Sequence, residues 1–276
     1  MTWWAVDVET DPAARDAVAG WLVARTGQAV EERTDGMIVG FAADDSEAGR
    51  LRQELTDRFG GGIAVHLRAL EGTDWSTRWR DGLGPRQVGR VTLVPSWVAP
   101  PPGATVVVEV EPETAFGSGE HGSTRAALLL VDRFITPGDL VLDLGSGSGI
   151  LAVAAVKLGA RRAIGVEIDE EAIPVAVRNA ERNGVAERVD FLEGDAGDLA
   201  PLLGPVRLVV SNILRGPNVG LLPAIGEALA PGGIAVFSGM EIGESTLFRP
   251  ELGRAGYRIV AETEDEGWWA VAAVRP

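Results

Sequence analysis

The stretch Val141-Leu142-Asp143-Leu144-Gly145-Ser146-Gly147-Ser148-Gly149-Ile150-Leu151 decides the fold of this chain. An apolar run leads into a loop with three glycines, and the apolar start of a helix follows. Glycine lets the backbone approach a ligand without a Cβ in the way. A helix N-terminus offers free N–H groups and the positive end of the helix dipole. The pattern therefore predicts a strand, a ligand-binding loop at Gly145, Gly147 and Gly149, and a helix.

An acidic residue further along the chain indicates that the ligand carries a nucleoside. Glu167 closes the next apolar run, twenty-two residues after Gly145, where a carboxylate can accept the hydroxyls of a ribose. The loop reads G-x-G-x-G, and Ile150 stands where a dinucleotide fingerprint has its last glycine. With Asp143 before it, the loop resembles motif I of S-adenosylmethionine (SAM) methyltransferases. A glycine turn without a ligand is the alternative interpretation.

Composition limits the classes of protein to consider. The 276 residues are 46% hydrophobic, enough for one large or two modest domains. The chain has no cysteine and two histidines, which excludes disulfides, thiolate metal sites and histidine-rich metal centres. No apolar run reaches about 18 residues and no signal peptide is read, so we expect a cytoplasmic protein without a membrane segment.

The charge of the chain bears on its partners. A net charge of −15 argues against direct binding to nucleic acid and suits a basic partner, although acidity alone also keeps a protein soluble. Arginine supplies the positive charges, because Lys157 is the only lysine.

Residues 1–70 are predicted to form a small domain of their own, which we expect to recognise the substrate. The residue pattern gives the order strand, helix, strand, strand, helix, strand, which is that of a ferredoxin-like α+β fold. Asp35-Gly36 is a hairpin dipeptide, and Ser46 is the predicted N-cap of the second helix. The predicted strands are 3–9, 28–32, 37–41 and 63–70, and the predicted helices are 12–25 and 46–59.

Residues 71–105 are predicted to be a connector. Thr73-Asp74 can cap a short helix on which Trp75 and Trp79 lie on one face. These two side chains either pack between the domains or recognise a partner. A brief strand follows at 91–94, and the prolines after it stiffen the path.

Residues 106–276 alternate strands with helices, which predicts a Rossmann-like α/β domain with a mostly parallel sheet. The stretches 256–260 and 268–274 are expected to close it as an antiparallel pair. The predicted strands are 106–110, 140–144, 163–167, 189–192, 206–211, 234–238 and 269–274, with helices that include 122–134, 149–158, 170–182 and 219–229.

Ligands of such sheets bind at the carboxyl ends of the strands. At one end, Asp195 could accept from the adenine amine or belong to a simple turn. At another, Asn212 could orient the reacting group or cap a turn. Upstream, the glycine-rich segment 113–125 is predicted to be a flap that leads into a helix, or a surface turn capped by Ser123 or Thr124.

Several of these segments together resemble the PrmA family, the methyltransferases of ribosomal protein L11. The resemblance covers the chain from about residue 63 and rests on combined motifs, while the N-terminal domain matches in element order. The motifs are the flap Ala115-Phe116-Gly117-Ser118-Gly119-Glu120-His121 with Thr124, the loop 143–149, Asn212-Ile213-Leu214, Asp74-Trp75 with Trp79, Pro95-Ser96-Trp97 and Glu266-Gly267-Trp268.

The resemblance implies that SAM contacts Thr124, Gly145, Glu167 and Asn212. The chain departs from the family at two places. Glu167 stands where aspartate is usual, and the flap reads Ser118-Gly119-Glu120-His121-Gly122-Ser123-Thr124 where the family often has Thr-Gly-Thr-His-Pro-Thr-Thr.

We therefore expect a monomeric SAM-dependent methyltransferase that modifies lysine or N-terminal amines of a basic ribosomal protein of the L11 type. The expected cofactor-binding residues are Thr124, Asp143, Gly145, Gly147, Gly149, Glu167, Asp195 and Asn212, with Asn212 also orienting the amine and no metal ligands. Alternatives are a SAM-dependent methyltransferase for another protein or a small molecule, an NAD-dependent oxidoreductase, and a SAM-binding protein without activity.

Overall fold

The computed structural model of the protein describes residues 3–26, 30–32, 36–69, 84–110 and 121–275. The predicted helix with Trp75 and Trp79 and the flap up to Glu120 lie outside these ranges. The chain divides into two compact units, Met1–Leu83 and Gly84–Pro276. Within the described ranges, the helices fall short of the length and apolar character that crossing a membrane requires.

The first unit is a four-stranded antiparallel sheet with two helices, in the element order expected from the sequence. Strand order is β2-β3-β1-β4, as in a ferredoxin-like fold. Apolar side chains of the helices, such as Leu22 and Leu51, pack with Val6 and Val8 of the sheet. The elements are β1 Trp4–Thr10, α1 Arg15–Thr26, β2 Glu31–Glu32, β3 Ile38–Ala42, α2 Asp45–Phe59 and β4 Ile63–Ala69.

Helix α2 begins earlier than predicted, because Asp44 and not Ser46 is its N-cap. The Asp44 side chain accepts a hydrogen bond from Glu47 N at 2.8 Å. In return, the Glu47 carboxylate accepts from Ala43 N at 2.8 Å. A carboxylate is the better acceptor for N–H groups at the positive end of a helix, so the aspartate takes the cap position.

The second unit is built on a seven-stranded sheet, as the alternation of strands and helices predicts. Its order is β10-β9-β8-β11-β12-β14-β13. The first five strands are parallel, and the predicted closing pair is confirmed as the antiparallel strands β13 and β14. The strands are β8 Leu140–Leu144, β9 Arg162–Glu167, β10 Val189–Glu193, β11 Val206–Asn212, β12 Leu229–Glu241, β13 Arg258–Asp265 and β14 Trp268–Val274.

The brief strand predicted at 91–94 is present, but the strand predicted at 106–110 belongs to a second, smaller sheet. β7 (Val106–Val110) does not join the large sheet but pairs with β6 (Val91–Pro95), which also pairs with β5 (Arg86–Val88). The other edge of β7 meets Asn183, which accepts from Glu109 N at 2.8 Å and donates to Glu109 O at 2.7 Å. Residues 84–105 therefore belong to the second unit.

In the described part of the second unit, six helices flank the sheets, and two of them were not assigned from the sequence. Their short lengths and internal prolines, Pro201 in α6 and Pro250 in α8, weaken the helical signal. The helices are α3 Gly122–Phe134, α4 Ile150–Lys157, α5 Ala172–Arg182, α6 Ala196–Leu203, α7 Arg215–Ala228 and α8 Ser245–Arg254.

Helix α4 starts at the glycine loop and runs through the core of the second unit. All of its residues from Ile150 to Val156 are buried, as expected for a helix that is apolar on every side. It ends at the half-buried Lys157, one helix length away from the loop. The carboxyl ends of the strands therefore surround one end of α4, and the lysine lies at the other.

Candidate functional site

A cavity of about 810 Å³ lies at the carboxyl ends of the parallel strands. Six of the eight predicted cofactor-binding residues line it. The order of strands in the sheet determines the order in which these residues follow one another along the edge. From one end to the other, the strand-end residues on the wall are Asp195 after β10, Glu167 of β9, Gly145 and Gly147 after β8, Asn212 of β11, Gly239 of β12 and Trp268 of β14, with His121 and Thr124 at the start of α3. Four strand spacings separate β9 from β14, roughly 19 Å.

The glycine loop requires its first glycine. Gly145 has φ +72°, where a side chain is strained. A Cβ there would also lie too close to Ile213 Cγ2. Gly145 N and Ser146 N both donate to Val166 O, at 2.8 and 3.1 Å, which ties the loop to the end of β9.

Glu167 joins the glycine loop to the next strand end. Its Oε2 accepts from Gly147 N at 2.7 Å, and its Oε1 accepts from Ile168 N at 2.9 Å and Asp169 N at 3.1 Å. A carboxylate can accept about four hydrogen bonds, so Oε2 keeps room for a ribose hydroxyl. The extra methylene of glutamate relative to aspartate gives the carboxylate its reach to Gly147.

Asp143 and Gly149, also predicted to bind the cofactor, do not line the cavity. Gly149 is the left-handed residue before α4 (φ +74°), and a Cβ there would be 2.5 Å from the Phe191 ring. Asp143 is buried beneath the loop and accepts from Ala152 N at 3.0 Å. Both residues therefore shape the loop from behind.

The environment of Asp143 favours its protonated form. Its second oxygen, Oδ1, is buried without a hydrogen-bond partner among the described residues. Burial and, to a smaller extent, the charge of Glu167 raise the pKa of Asp143 from 3.8 to about 8, against the opposing hydrogen bond from Ala152 N. A neutral carboxyl group therefore supports the loop at neutral pH.

Asp195 lies on the wall and also caps a helix. Its side chain accepts from Gly197 N at 2.7 Å and so begins α6. The remaining carboxylate oxygen is available to a donor in the cavity. Both interpretations of this residue, turn and ligand contact, are therefore compatible with its position.

Asn212 has one free acceptor toward the cavity. Its Nδ2 donates to Thr124 Oγ1 at 3.3 Å, which joins the predicted flap helix to the end of β11. Its Oδ1 is buried and accepts no hydrogen bond from the residues that the structure describes. An unpaired buried acceptor costs free energy, so this oxygen is suited to an N–H donor from a bound molecule.

Residues that the sequence did not single out support Asn212. Asn218, fully buried in α7, donates to Ile213 O at 2.9 Å and to Ser238 O at 3.0 Å. Gly239 has φ +84°, and its lack of a Cβ lets the Ile213 backbone lie against it. A glycine that ends an apolar strand was the available signal for this close approach.

His121 and Trp268 form the wall beyond Asn212. Their rings lie 4.1 Å apart between centroids, and His121 Nδ1 is 2.7 Å from Ser123 Oγ. Burial and the charge of Arg125 lower the pKa of His121 below its usual value. A Cβ on Gly122 would be 2.5 Å from Asp265 O, so glycine, and not the family's proline, fits this tight contact.

The order of polar groups along the cavity wall fits SAM. A carboxylate for a ribose, a glycine loop beside a helix N-terminus and a free carboxamide oxygen follow one another along the sheet edge. The ribose would be held by Glu167, the adenine end by Asp195, and the methionine end by the loop, Thr124 and Asn212.

Comparisons with known proteins agree with this arrangement. Residues 5–276 match the family model described as ribosomal protein L11 methyltransferase (PrmA). The ribosomal protein L11 methyltransferase of Pelotomaculum thermopropionicum is 36% identical over 275 residues, which cover 96% of this chain and 88% of that protein. The enzyme of the same name from Thermus thermophilus is 42% identical over 205 residues, or 72% of this chain and 76% of that protein.

A solved structure shows the same fold. The crystal structure of ribosomal protein L11 methylase from Lactobacillus delbrueckii subsp. bulgaricus superposes with a TM-score of 0.64 and 28% identity. The aligned region covers 70% of this chain and 99% of the Lactobacillus chain.

Proposed function

The chain belongs to the ribosomal protein L11 methyltransferase (PrmA) family, and from this premise we propose that it transfers methyl groups from SAM to lysine or N-terminal amines of ribosomal protein L11. The observation that carries the proposal is the free Oδ1 of Asn212, buried at the cavity wall next to the glycine loop. SAM supplies an electrophilic methyl group that an amine nitrogen attacks in line with the departing sulfur.

The protein's part in this reaction is to hold and orient an uncharged amine. A lysine side chain has a pKa of about 10.4 in water, so it must lose a proton before it attacks. Asn212 Oδ1 accepts one N–H of the amine and so directs its lone pair, while the apolar wall around it disfavours the charged form. Positioning and desolvation then provide most of the rate enhancement.

The direct test is transfer of labelled methyl groups from SAM to purified L11, with the modified residues located by mass spectrometry. We expect label on lysine or N-terminal amines of L11. Asn212→Ala should strongly reduce kcat, because it removes the orienting acceptor, while the melting temperature should change little. If SAM binds but L11 stays unmodified, the acceptor is wrong and the SAM site stands; a protein that binds NAD and not SAM would overturn both.

A further inference from the structure

A buried arginine connects α3 to the turn between β13 and β14. Arg125 is 4% exposed and lies one turn after His121. Its Nε and Nη2 donate to both carboxylate oxygens of Asp265, at 2.8 and 3.0 Å, and Nη2 also lies 2.7 Å from Glu266 Oε2. These two carboxylates raise the pKa of Arg125 above its ordinary value, so the guanidinium is always charged.

The turn that Arg125 holds has an unfavourable backbone. Glu266 has φ +46° and is the non-glycine residue with positive φ among those described. Such a conformation persists when the surroundings enforce it, and the ion pair with Arg125 supplies an enforcing contact. Trp268, two residues later, packs against His121 and lines the cavity. The position of this aromatic wall therefore depends on the turn.

The same arginine acts on the charge of His121. The positive charge of Arg125 adds to burial in lowering the pKa of His121. The negative charges that would raise the pKa of His121 lie in the hairpin, where Asp265 and Glu266 pair with Arg125. A protonated imidazole at this wall would repel a lysine side chain that approaches from water as an ammonium ion, so a neutral His121 favours its entry.

We infer that Arg125, with Asp265 and Glu266, is a positioning cluster that fixes the His121–Trp268 wall of the cavity. The cluster does not reach the nucleoside end, because four strand spacings separate Glu167 from Trp268 along the sheet. It acts at the acceptor end, and this part of the inference rests on the proposed methyl transfer.

The first test needs no acceptor protein. His66 and His121 are the only histidines, so their imidazole C2 proton signals can be assigned with His66→Gln and titrated by NMR. We expect Arg125→Met to shift the His121 titration to higher pH, since it removes a cation and leaves two carboxylates unpaired. Arg125→Lys keeps the charge and should leave the His121 titration low.

The second test separates positioning from charge in the full chain. With L11 as acceptor, Arg125→Met and Arg125→Lys should both lower kcat/KM by about tenfold or more, the scale expected when a reacting group is misplaced. The SAM affinity measured by calorimetry should stay within about threefold of wild type, which is about 0.7 kcal/mol, because the nucleoside end of the cavity lies far from the substitution.

Arg207→Met is the matched control. Arg207 also pairs with a carboxylate, that of Asp139, and it lies at the amino end of β11, away from the cavity. Its loss should lower the melting temperature and leave the His121 titration and kcat unchanged. The inference is wrong if His121 titrates alike in Arg125→Met and Arg207→Met, or if Arg125→Lys keeps wild-type kcat/KM. If wild type does not modify L11, the proposed function fails, and the titration still decides the cluster.

Discussion

At the scale of single residues, Glu167 carries the clearest prediction for cofactor binding. Glu167→Ala should weaken SAM binding by about 1.5–3 kcal/mol, because a hydrogen bond to a charged acceptor is lost. Calorimetry measures it. Glu167→Asp is the control: it keeps a ribose acceptor but withdraws the carboxylate from Gly147 N, so SAM affinity should stay near wild type. Unchanged binding in the alanine variant would remove Glu167 from the site.

Asp143 predicts a pH dependence of stability. The folded state raises its pKa to about 8 from 3.8, so between these values the folded chain binds a proton that the unfolded chain has released. Its contribution to the unfolding free energy is therefore greatest below about pH 4 and is lost as pH rises to about 8. Asp143→Asn cannot ionise and should lack this loss.

Denaturant unfolding of both proteins across this pH range measures the difference. The asparagine variant should gain stability relative to wild type as pH rises, and at pH 8 it should be the more stable of the two. A difference that does not vary with pH would show that Asp143 is ionised in the folded protein.

At the scale of elements, the cap of α2 gives a matched pair of variants. Asp44→Ala removes the acceptor for Glu47 N and should destabilise the first unit by about 1 kcal/mol. Ser46→Ala, at the position expected from the sequence, should change it by less than about 0.5 kcal/mol. Hydrogen exchange of the Leu51 and Leu55 amides reports on this helix. Equal effects of the two substitutions would contradict the assigned cap.

Elements with a strong local signal were predictable from the sequence. Helix α3 was predicted at its observed bounds, and the strands of the large sheet begin or end within a few residues of expectation, except for β12, which extends further. These strands are apolar runs between turn residues, so the local sequence indicates both which residues are buried and where the chain turns.

Long-range pairing was not predictable in the same way. Strand β7 pairs with β6 on one edge. Its other edge is bonded by Asn183, more than seventy residues later in the chain. The site shows the same division. Glycines, Glu167 and Asn212 stand at strand ends and could be found, whereas Asn218 and Arg125 act through contacts that only the folded chain creates.

At the scale of the whole molecule, the second unit should bind SAM by itself. A fragment of residues 84–276 contains the full cavity wall, so its SAM affinity should be close to that of the full chain. A fragment of residues 106–276 lacks β5 and β6 and exposes Val108 and Val110 of β7. It should melt at lower temperature, and calorimetry and thermal unfolding compare the two. Equal melting temperatures would show that residues 84–105 are dispensable.

The first unit should matter for the acceptor. Without residues 1–83, the fragment 84–276 should methylate L11 less efficiently, because a tethered recognition domain presents the amine repeatedly at high effective concentration. KM for L11 should rise while SAM affinity is kept. If the fragment methylates L11 as fast as the full chain, the first unit is not the recognition module.

The single lysine at the end of α4 bears on whether the enzyme can methylate itself. Lys157 is the last of the eight residues of the helix, about 12 Å of rise from the glycine loop. Its amine therefore cannot turn back into the cavity of its own molecule. The chain therefore offers neighbouring copies only one lysine side chain, so methylation of its own lysine competes little with methylation of a lysine-bearing protein.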